Sequence, residues 1–369
     1  MLSATPLIFQ ANNMTNPTSI IGEAQTVSLD SPGVPKMIAA KIKRDIDDYA
    51  IRTYFEAHRN HLGASLIGHE CSRYLWYVFR WCGQEEGRGD TPEDARKNLA
   101  RMQRLFNRGH REEDRYVEFL KGIGAQIWTH QPLYLLHHPE SEAYWWSNQI
   151  EEGDGLVVEV TNINEHYLKA GMLNVHKPTP KQFRMNAVGG HFGGSLDGII
   201  RLPSTYRIDE PLLAEFKTNG TGAGFKSLID KGVSLAKQQH FTQMSCYGNS
   251  YKLRYAAYFN TNKNDDDMYI EVIKLDWNLG QQMIAKAERI IRSQEPLPKL
   301  SLDPTFHTCA YCPMKPVCHD GKPPEMNCRS CMNCEPRPEA QWNCNFHGAI
   351  IPAEVIPKGC PSYKAIVNG

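Results

Sequence analysis

An excess of either charge is missing: Lys and Arg together number 41, and so do Asp and Glu, for a net charge of zero. That excludes a global polycation, so a nucleic-acid partner would have to meet local basic groups. Also missing is an apolar run long enough to span a bilayer. The start, Met1-Leu-Ser-Ala-Thr-Pro, has no basic segment followed by an apolar one, and export is not expected. No internal repeat is visible. Cysteine is scarce before residue 309, with only Cys71, Cys82 and Cys246, and then crowds: eight of the 11 lie from Cys309 to Cys360. Without a leader segment, such crowding favours metal ligands over disulfides. What is present in quantity is core: 369 residues at 41% hydrophobic content support one large domain, or one domain with an appendage.

The most informative stretch is Gly194-Ser-Leu-Asp197-Gly-Ile-Ile followed by Leu212-Leu-Ala-Glu215-Phe-Lys217. It predicts a β-hairpin whose linker, residues 202–211, has the Pro and Ser content of a connection. Strand side chains repeat every two residues, so Glu215 and Lys217 share a face while Phe216 points into a core. Two carboxylates beside one lysine suit a divalent-cation site for phosphodiester hydrolysis. Hard Mg²⁺ or Mn²⁺ takes carboxylate oxygen, and an ammonium orients water and counters developing negative charge. The bland alternative is a cross-strand salt bridge on an exposed hairpin.

Around this hairpin the pattern alternates between helix and strand. Residues 1–35 read as a polar arm. A helix is predicted from Pro35 to about His61, another over His69–Arg80 carrying Cys71, a third from Thr91 to about Asn107 and a fourth over Arg108–Leu120. On the last, His110 and Glu113 share a face and can extend a carboxylate site, or simply face solvent. Short strands are expected at 125–130 and 132–137, and residues 139–180 read as an insertion over a cleft. Beyond the Gly-rich 220–224 loop come Lys226 and Lys231. A single helix is then predicted over Ser234–Lys252, placing Gln243 above Tyr247. Two strands (255–260 and 268–275) and an amphipathic helix (277–293) complete the pattern.

The spacing C-x2-C-x5-C at Cys309, Cys312 and Cys318 offers three ligands to a metal or cluster. The fourth is Cys71 from far upstream, or a local residue such as His307 or His319. Cys328, Cys331, Cys344 and Cys360, with Cys334 and His347 nearby, have the character of a structural zinc site.

Taken together, Asp197, Glu215-x-Lys217 and Gln243-x3-Tyr247 resemble the PD-(D/E)XK nuclease superfamily, RecB-like branch. Gly109-x3-Glu113 looks like the glutamate-bearing helix of lambda-exonuclease-type enzymes, with His110 as the alternative metal ligand. Cys71-x-Arg73-x2-Trp76-Tyr77 with the late C-x2-C-x5-C is similar to iron–sulfur nucleases such as AddB and those of CRISPR spacer acquisition. The final cysteines resemble a zinc-binding tail of phage-type exonucleases. One departure is Leu196 before Asp197, where the family's nominal motif has Pro.

The resemblance implies an α/β fold with a restriction-endonuclease-like core, a mixed central sheet flanked by helices, and a Cys-rich metal-binding C-terminal region. It implies an arm (1–35), a nuclease domain (36–318) and a zinc tail (319–369). Asp197, Glu215, the Phe216 carbonyl and Glu113 or His110 would hold Mg²⁺ or Mn²⁺, and Lys217 would position water. Gln243 and Tyr247 would contact DNA or brace the site. Cys71, Cys309, Cys312 and Cys318 would hold a structural [4Fe–4S] cluster, and Cys328, Cys331, Cys344 and Cys360 a Zn²⁺ ion. Lys181, Arg184, Lys226, Lys231 and Lys237 are the candidate phosphate-gripping surface. The implied activity is a metal-dependent DNA exonuclease working in recombination or end processing, in the cytoplasm of a bacterial or phage-infected cell. A single-strand annealing or recombination protein is the expected partner. An endonuclease on the same core, or a non-catalytic DNA-binding protein, are the alternatives.

Overall fold

The computed structural model describes residues 28–54, 59–83, 91–132, 134–138, 143–147, 156–158, 179–220 and 222–366. Residues 1–27, within the expected arm, and most of 139–180, read as an insertion, lie outside the described residues. Two units separate at residue 53. In the first, α1 (Val34–Tyr54) is braced along its own surface by Lys41–Asp45 and Lys43–Asp47 pairs four residues apart.

The second unit opens with β1 (Leu62–Gly63), α2 (Ser72–Phe79), α3 (Pro92–Gly122) and β2 (Gln126–Trp128). Next come β3 (Tyr134–His138), β4 (Ala143–Ser147) and β5 (Leu156–Val158), paired in the order β4-β3-β5. Then follow β6 (Arg184–Ala187), β7 (Phe192–Ser195), β8 (Gly198–Arg201) and β9 (Leu212–Asn219). The remaining long elements are α4 (Ala223–Lys231), α5 (Gln238–Tyr251), β10 (Tyr255–Asn262), β11 (Met268–Lys274) and α6 (Trp277–Arg292). A small sheet, β12 (Cys334–Pro336), β13 (Trp342–Cys344) and β14 (Ala349–Ile350), ends the chain. No helix among the described residues is long and apolar enough to cross a membrane.

The strand period of residues 212–219 puts β9 at the middle of a five-stranded sheet of order β11-β10-β9-β8-β2. β9 runs parallel to β10 and antiparallel to β8, so the sheet is mixed. One face, with Leu212, Ala214, Phe216, Ala257 and Phe259, is covered by Tyr116 and Leu120 of α3. Tyr116 stacks on Phe216 with ring centroids 5.2 Å apart. The other face, with Leu213, Ala256 and Tyr258, joins the larger core built with α2, α5 and α6. A mixed sheet flanked by helices is the architecture expected of a restriction-endonuclease-like core.

Three helix boundaries depart from the sequence reading. α1 ends at Tyr54, and residues 59–61 are not helical, short of the expected end near His61. The predicted break near residue 107 is absent, and α3 runs 31 residues from its Thr91 cap, whose side chain accepts the Asp94 N–H. Gly109 costs a helix only about 1 kcal/mol relative to Ala, too little to end one anchored by Tyr116 and Leu120. The opposite happens at Lys237, where a backbone at φ −137° and ψ 58° divides the predicted 234–252 helix into a turn (Val233–Ala236) and α5. The chain is pinned on both sides of that break. The Val233 N–H donates to Glu271 of β11 at 2.8 Å, and Gln239 packs on Gly68, where a Cβ would lie 3.0 Å from its Cα.

The C-terminal residues share the large core: Cys331, Cys334, Trp342 and Ile356 are buried with Leu75, Trp76 and Phe79 of α2. Arg80, fully buried, donates to the Cys334 carbonyl at 2.7 Å. Arg329 donates to the Phe79 and Arg59 carbonyls and lies over the rings of Phe79, Trp81 and Trp342.

The α5–α6 contact supplies a test. A Cβ on Gly280 would collide with the Ser245 carbonyl oxygen and sit 3.0 Å from Asn249 Cβ. Because backbone cannot yield as a side-chain end can, Gly280→Ala should destabilise the chain by about 1–3 kcal/mol. Chemical denaturation read by tryptophan fluorescence measures it, and unchanged stability would contradict this packing.

Candidate active site and thiol pockets

The alternation of β9 carries two charges onto one face and an anchor onto the other. Glu215 is fully buried and ion-paired with the Lys217 ammonium. Apart from that charge contact, neither Glu215 oxygen has a hydrogen-bond partner of good geometry. Asp197, at the junction of β7 and β8, accepts the Phe216 N–H at 2.8 Å, which ties it to β9. Its Oδ2 is 3.8 Å from Lys217 Nζ, and that ammonium donates to the Phe216 carbonyl at 3.2 Å. Burial raises the Glu215 carboxyl, against the pull of Lys217. Burial alone would lower Lys217, but Glu215 and Asp197 outweigh it and hold the ammonium above its ordinary value.

The third carboxylate arrives on α3. Glu113 is pushed up to about 7, first by burial and then by the negative charge of Asp197, against the pull of Lys217. Its neighbours aim the helix: Glu112 accepts from Thr261 of β10 at 2.9 Å, and the Tyr116 hydroxyl meets the same threonine at 2.6 Å. His110 is exposed on this helix. From α5, Gln243 donates to the Tyr247 hydroxyl at 3.3 Å, both residues buried. Tyr247 reaches the centre because Gly194 has no side chain; a Cβ there would collide with its hydroxyl. Burial, then Glu215, raises the Tyr247 phenol.

Three residues of this face went unnoticed in the sequence. Tyr258 and Asn260 are the β10 register partners of Glu215 and Lys217, and both are fully buried. His240 Nδ1 lies 2.9 Å from the Tyr258 hydroxyl, to which Asn260 Nδ2 donates at 3.2 Å. The available signal was the polar alternation Tyr258, Asn260, Asn262 in an otherwise buried strand. Of the basic candidates, Lys226 and Lys231 are exposed on α4, Lys237 is half-buried before α5, and Lys181 is exposed ahead of β6. Arg184 on β6 is exposed, its guanidinium 2.9 Å from His61 Nδ1.

Among the described residues no three His, Cys, Asp or Glu side chains already form a ready metal shell. The donor chemistry nonetheless fits one here. Asp197 and Glu215 both lie against Lys217, and Glu113 is near enough to feel the charge of Asp197. Glu215 is buried with the Lys217 ammonium as its partner, and an oxygen-seeking divalent cation would satisfy the set.

The thiols fall into two hollows. Cys71, Cys309, Cys312 and Cys318 line one, with His69 and His319 on its wall. Cys71 caps α2, its sulfur accepting the Tyr74 N–H at 3.4 Å, and Cys312 sulfur accepts the Met314 N–H at 3.4 Å. Burial raises the Cys312 thiol, and the charges of Cys71, Cys318 and Cys309 add to it. Cys328, Cys331, Cys334, Cys344 and Cys360 line the second hollow. There burial raises Cys328, followed by the charges of Cys360, Cys331 and Cys344. Four sulfurs in the first hollow and five in the second, with backbone N–H groups turned to Cys71, Cys312 and Cys331, fit a thiolate-held metal or cluster in each.

The sequence matches no protein-family model and no curated protein. Among solved structures the fold is similar to the crystal structure of SSO0001, at 14% identity and a TM-score of 0.37, over 77% of this chain and 98% of that one. It is also similar to an alkaline exonuclease, LHK-Exo from Laribacter hongkongensis, at 13% identity and a TM-score of 0.31, over 65% of this chain and 90% of that one. The complex of LHK-Exo with dAMP gives 12% and 0.30 over the same shares. These likenesses are loose, and the assignment of chemistry falls to the chain's own residues.

Glu113 yields a stability test. Its carboxyl is raised in the folded chain to about 7 from an ordinary 4.5, so its ionisation opposes folding above that range. Without divalent cations, Glu113→Gln should stabilise the protein at pH 8 by about 1–2 kcal/mol, allowing for solvent screening, and by nothing near pH 4.5. The reading fails if the gain in denaturant midpoint is the same at both pH values.

Proposed function

We propose that the chain is a metal-dependent DNA nuclease, acting as an exonuclease in recombination or end processing. One observation carries this reading: Asp197, Glu215 and Lys217 meet on one sheet face with Glu113 at its margin. The arrangement is that of a phosphodiesterase centre, and it accords with the PD-(D/E)XK resemblance of the motifs. Asp197, Glu215 and Glu113 would hold Mg²⁺ or Mn²⁺, with the Phe216 carbonyl as a further ligand. A divalent cation bound there would polarise a phosphoryl oxygen and acidify a water.

The chain's own groups then have defined tasks. Lys217 orients the attacking water and offsets negative charge gathering on the phosphate. Gln243 and Tyr247 brace the face from α5, and Gly194 keeps the approach open. Lys226 and Lys231 on α4, with Lys237, Lys181 and Arg184, supply local positive charge for a phosphate backbone despite the zero net charge. Hydrolysis gives a 5′-phosphate and a 3′-hydroxyl. The carboxylates bind a cation only when ionised, so the raised Glu113 makes cation use fall off as pH drops below about 7.

Cys71, Cys309, Cys312 and Cys318 would hold a [4Fe–4S] cluster, and Cys328, Cys331, Cys344 and Cys360 a Zn²⁺ ion. Both roles are structural, closing long loops and so restricting the unfolded chain.

Digestion of end-labelled linear and covalently closed circular DNA tests the activity. With Mg²⁺ or Mn²⁺, linear DNA should be degraded and circles spared. Asp197→Asn and Lys217→Met should each lower the rate at least about a hundredfold with the fold intact by circular dichroism. Near-normal rates in both would remove the catalytic assignment.

Metal analysis tests the thiols separately. Anaerobically purified protein should contain about four iron atoms per chain and absorb near the visible thiolate–iron bands. Cys71→Ser should lose that iron while keeping zinc. Zinc in both hollows would contradict the cluster.

A further inference from the structure

Each partner of the Lys217 ammonium among the described residues is an oxygen that a divalent cation would also claim. They are the Glu215 carboxylate, the Phe216 carbonyl at 3.2 Å and Asp197 Oδ2 at 3.8 Å. Two positive charges cannot share these oxygens at such distances without strong repulsion. In the cation-free chain the ammonium therefore stands in for the cation. If the carboxylates turn to a metal, Lys217 needs another acceptor, because a half-buried ammonium without one is costly.

Asn260 offers that acceptor. It is the register partner of Lys217 on the neighbouring parallel strand, so both side chains rise from the same face. It is fully buried, and its Oδ1 has no hydrogen-bond partner. A chain of bonds sets which end of the amide is free. Burial, then Lys217 and Lys237, lower His240 to about 3, so its ring is neutral and can accept at one nitrogen. The Tyr258 hydroxyl, 2.9 Å from His240 Nδ1, gives its one proton to the ring when the imidazole carries its own proton on Nε2. Its oxygen in turn accepts from Asn260 Nδ2 at 3.2 Å. The amide nitrogen is thereby engaged, and the oxygen is left free to accept from a cation on the same face.

We propose that Asn260 is the positioning residue of Lys217: once Asp197 and Glu215 are engaged by a divalent cation, Lys217 leaves Glu215 and donates to Asn260 Oδ1, while Tyr258 and His240 hold the amide. This rests on the cation-site reading above. It makes cation binding a contest with an internal ammonium, eased by an acceptor waiting one strand away. Removing the ammonium tightens cation binding. Removing the acceptor weakens it, but only while the ammonium is present.

The test is Mn²⁺ binding to the full chain without DNA, followed by electron paramagnetic resonance of the free ion, with melting temperature recorded for every variant. Asn260→Leu should weaken Mn²⁺ about tenfold, the worth of one hydrogen bond to a charged group. Lys217→Met should bind Mn²⁺ more tightly than the unaltered chain. In the Lys217→Met background the Asn260→Leu effect should vanish, which a merely structural asparagine would not produce. Equal weakening in both backgrounds, or none in either, overturns the proposal. Should Asn260→Leu not fold, Tyr258→Phe releases the amide at nearly constant volume and is read through the same cycle. Failure of the unaltered chain to bind Mn²⁺ in an Asp197-dependent way would instead overturn the cation site itself.

Discussion

The buried contact between Glu215 and Lys217 is the constraint on which the rest of this molecule turns. Placing a carboxylate and an ammonium side by side inside a protein costs desolvation that their attraction only partly offsets. Such a pair persists where neighbouring groups hold its geometry, and here β9 does so through alternate residues. Its odd positions present the charges. Its even positions, Ala214 and Phe216, receive α3, and that docking delivers Glu113 to the margin of the same centre. Asp197 completes the set through a single bond to the Phe216 N–H. One strand's pleat therefore organises three acids and a base from three segments.

A second organising element is much shorter. α2 has Cys71 at its N-cap, on the wall of one thiol hollow, and Arg80 at its C-cap, bonded into the segment that lines the other. Five of its eight residues are buried. Arg80 and Arg329 are fully buried, and the bonds that hold them run to backbone carbonyls, aromatic faces and, for Arg80, the Gln294 amide oxygen. Those carbonyls belong to segments far apart in sequence, so the two guanidiniums fasten the C-terminal residues to the body of the fold. The thiol hollows are thus built into the packing around the sheet.

Much of this was readable in the sequence where the physics is local. The strand period of 212–217 places Glu215 and Lys217 on one face and Phe216 on the other, as the sheet has them. The Thr91 cap begins α3 where a short polar side chain can accept a backbone N–H. Reading failed where tertiary contact overrides propensity. Two helices were expected to meet near Asn107, yet Tyr116 and Leu120 anchor one helix that runs through it. The Ser234–Lys252 helix looked continuous, yet Glu271 and Gly68 pin its start out of line. Tyr258, Asn260 and His240 escaped notice because a buried polar residue gains meaning only from the groups opposite it.

The sequence alone determined the kinds of group available and their local order: an acid before a Glu-x-Lys strand, a Gln-x3-Tyr helix, and cysteines grouped toward the end. These follow from side-chain chemistry and from the periods of strand and helix, which need no knowledge of distant residues. Only the tertiary structure decided that Glu113 is part-buried within reach of the charge of Asp197 while His110 is exposed, that Cys71 shares a hollow with cysteines more than two hundred residues later, and that Asn260 stands beside Lys217 in the strand register. Those choices depend on strand register and on which helix face is buried, and both are set by packing across the whole core.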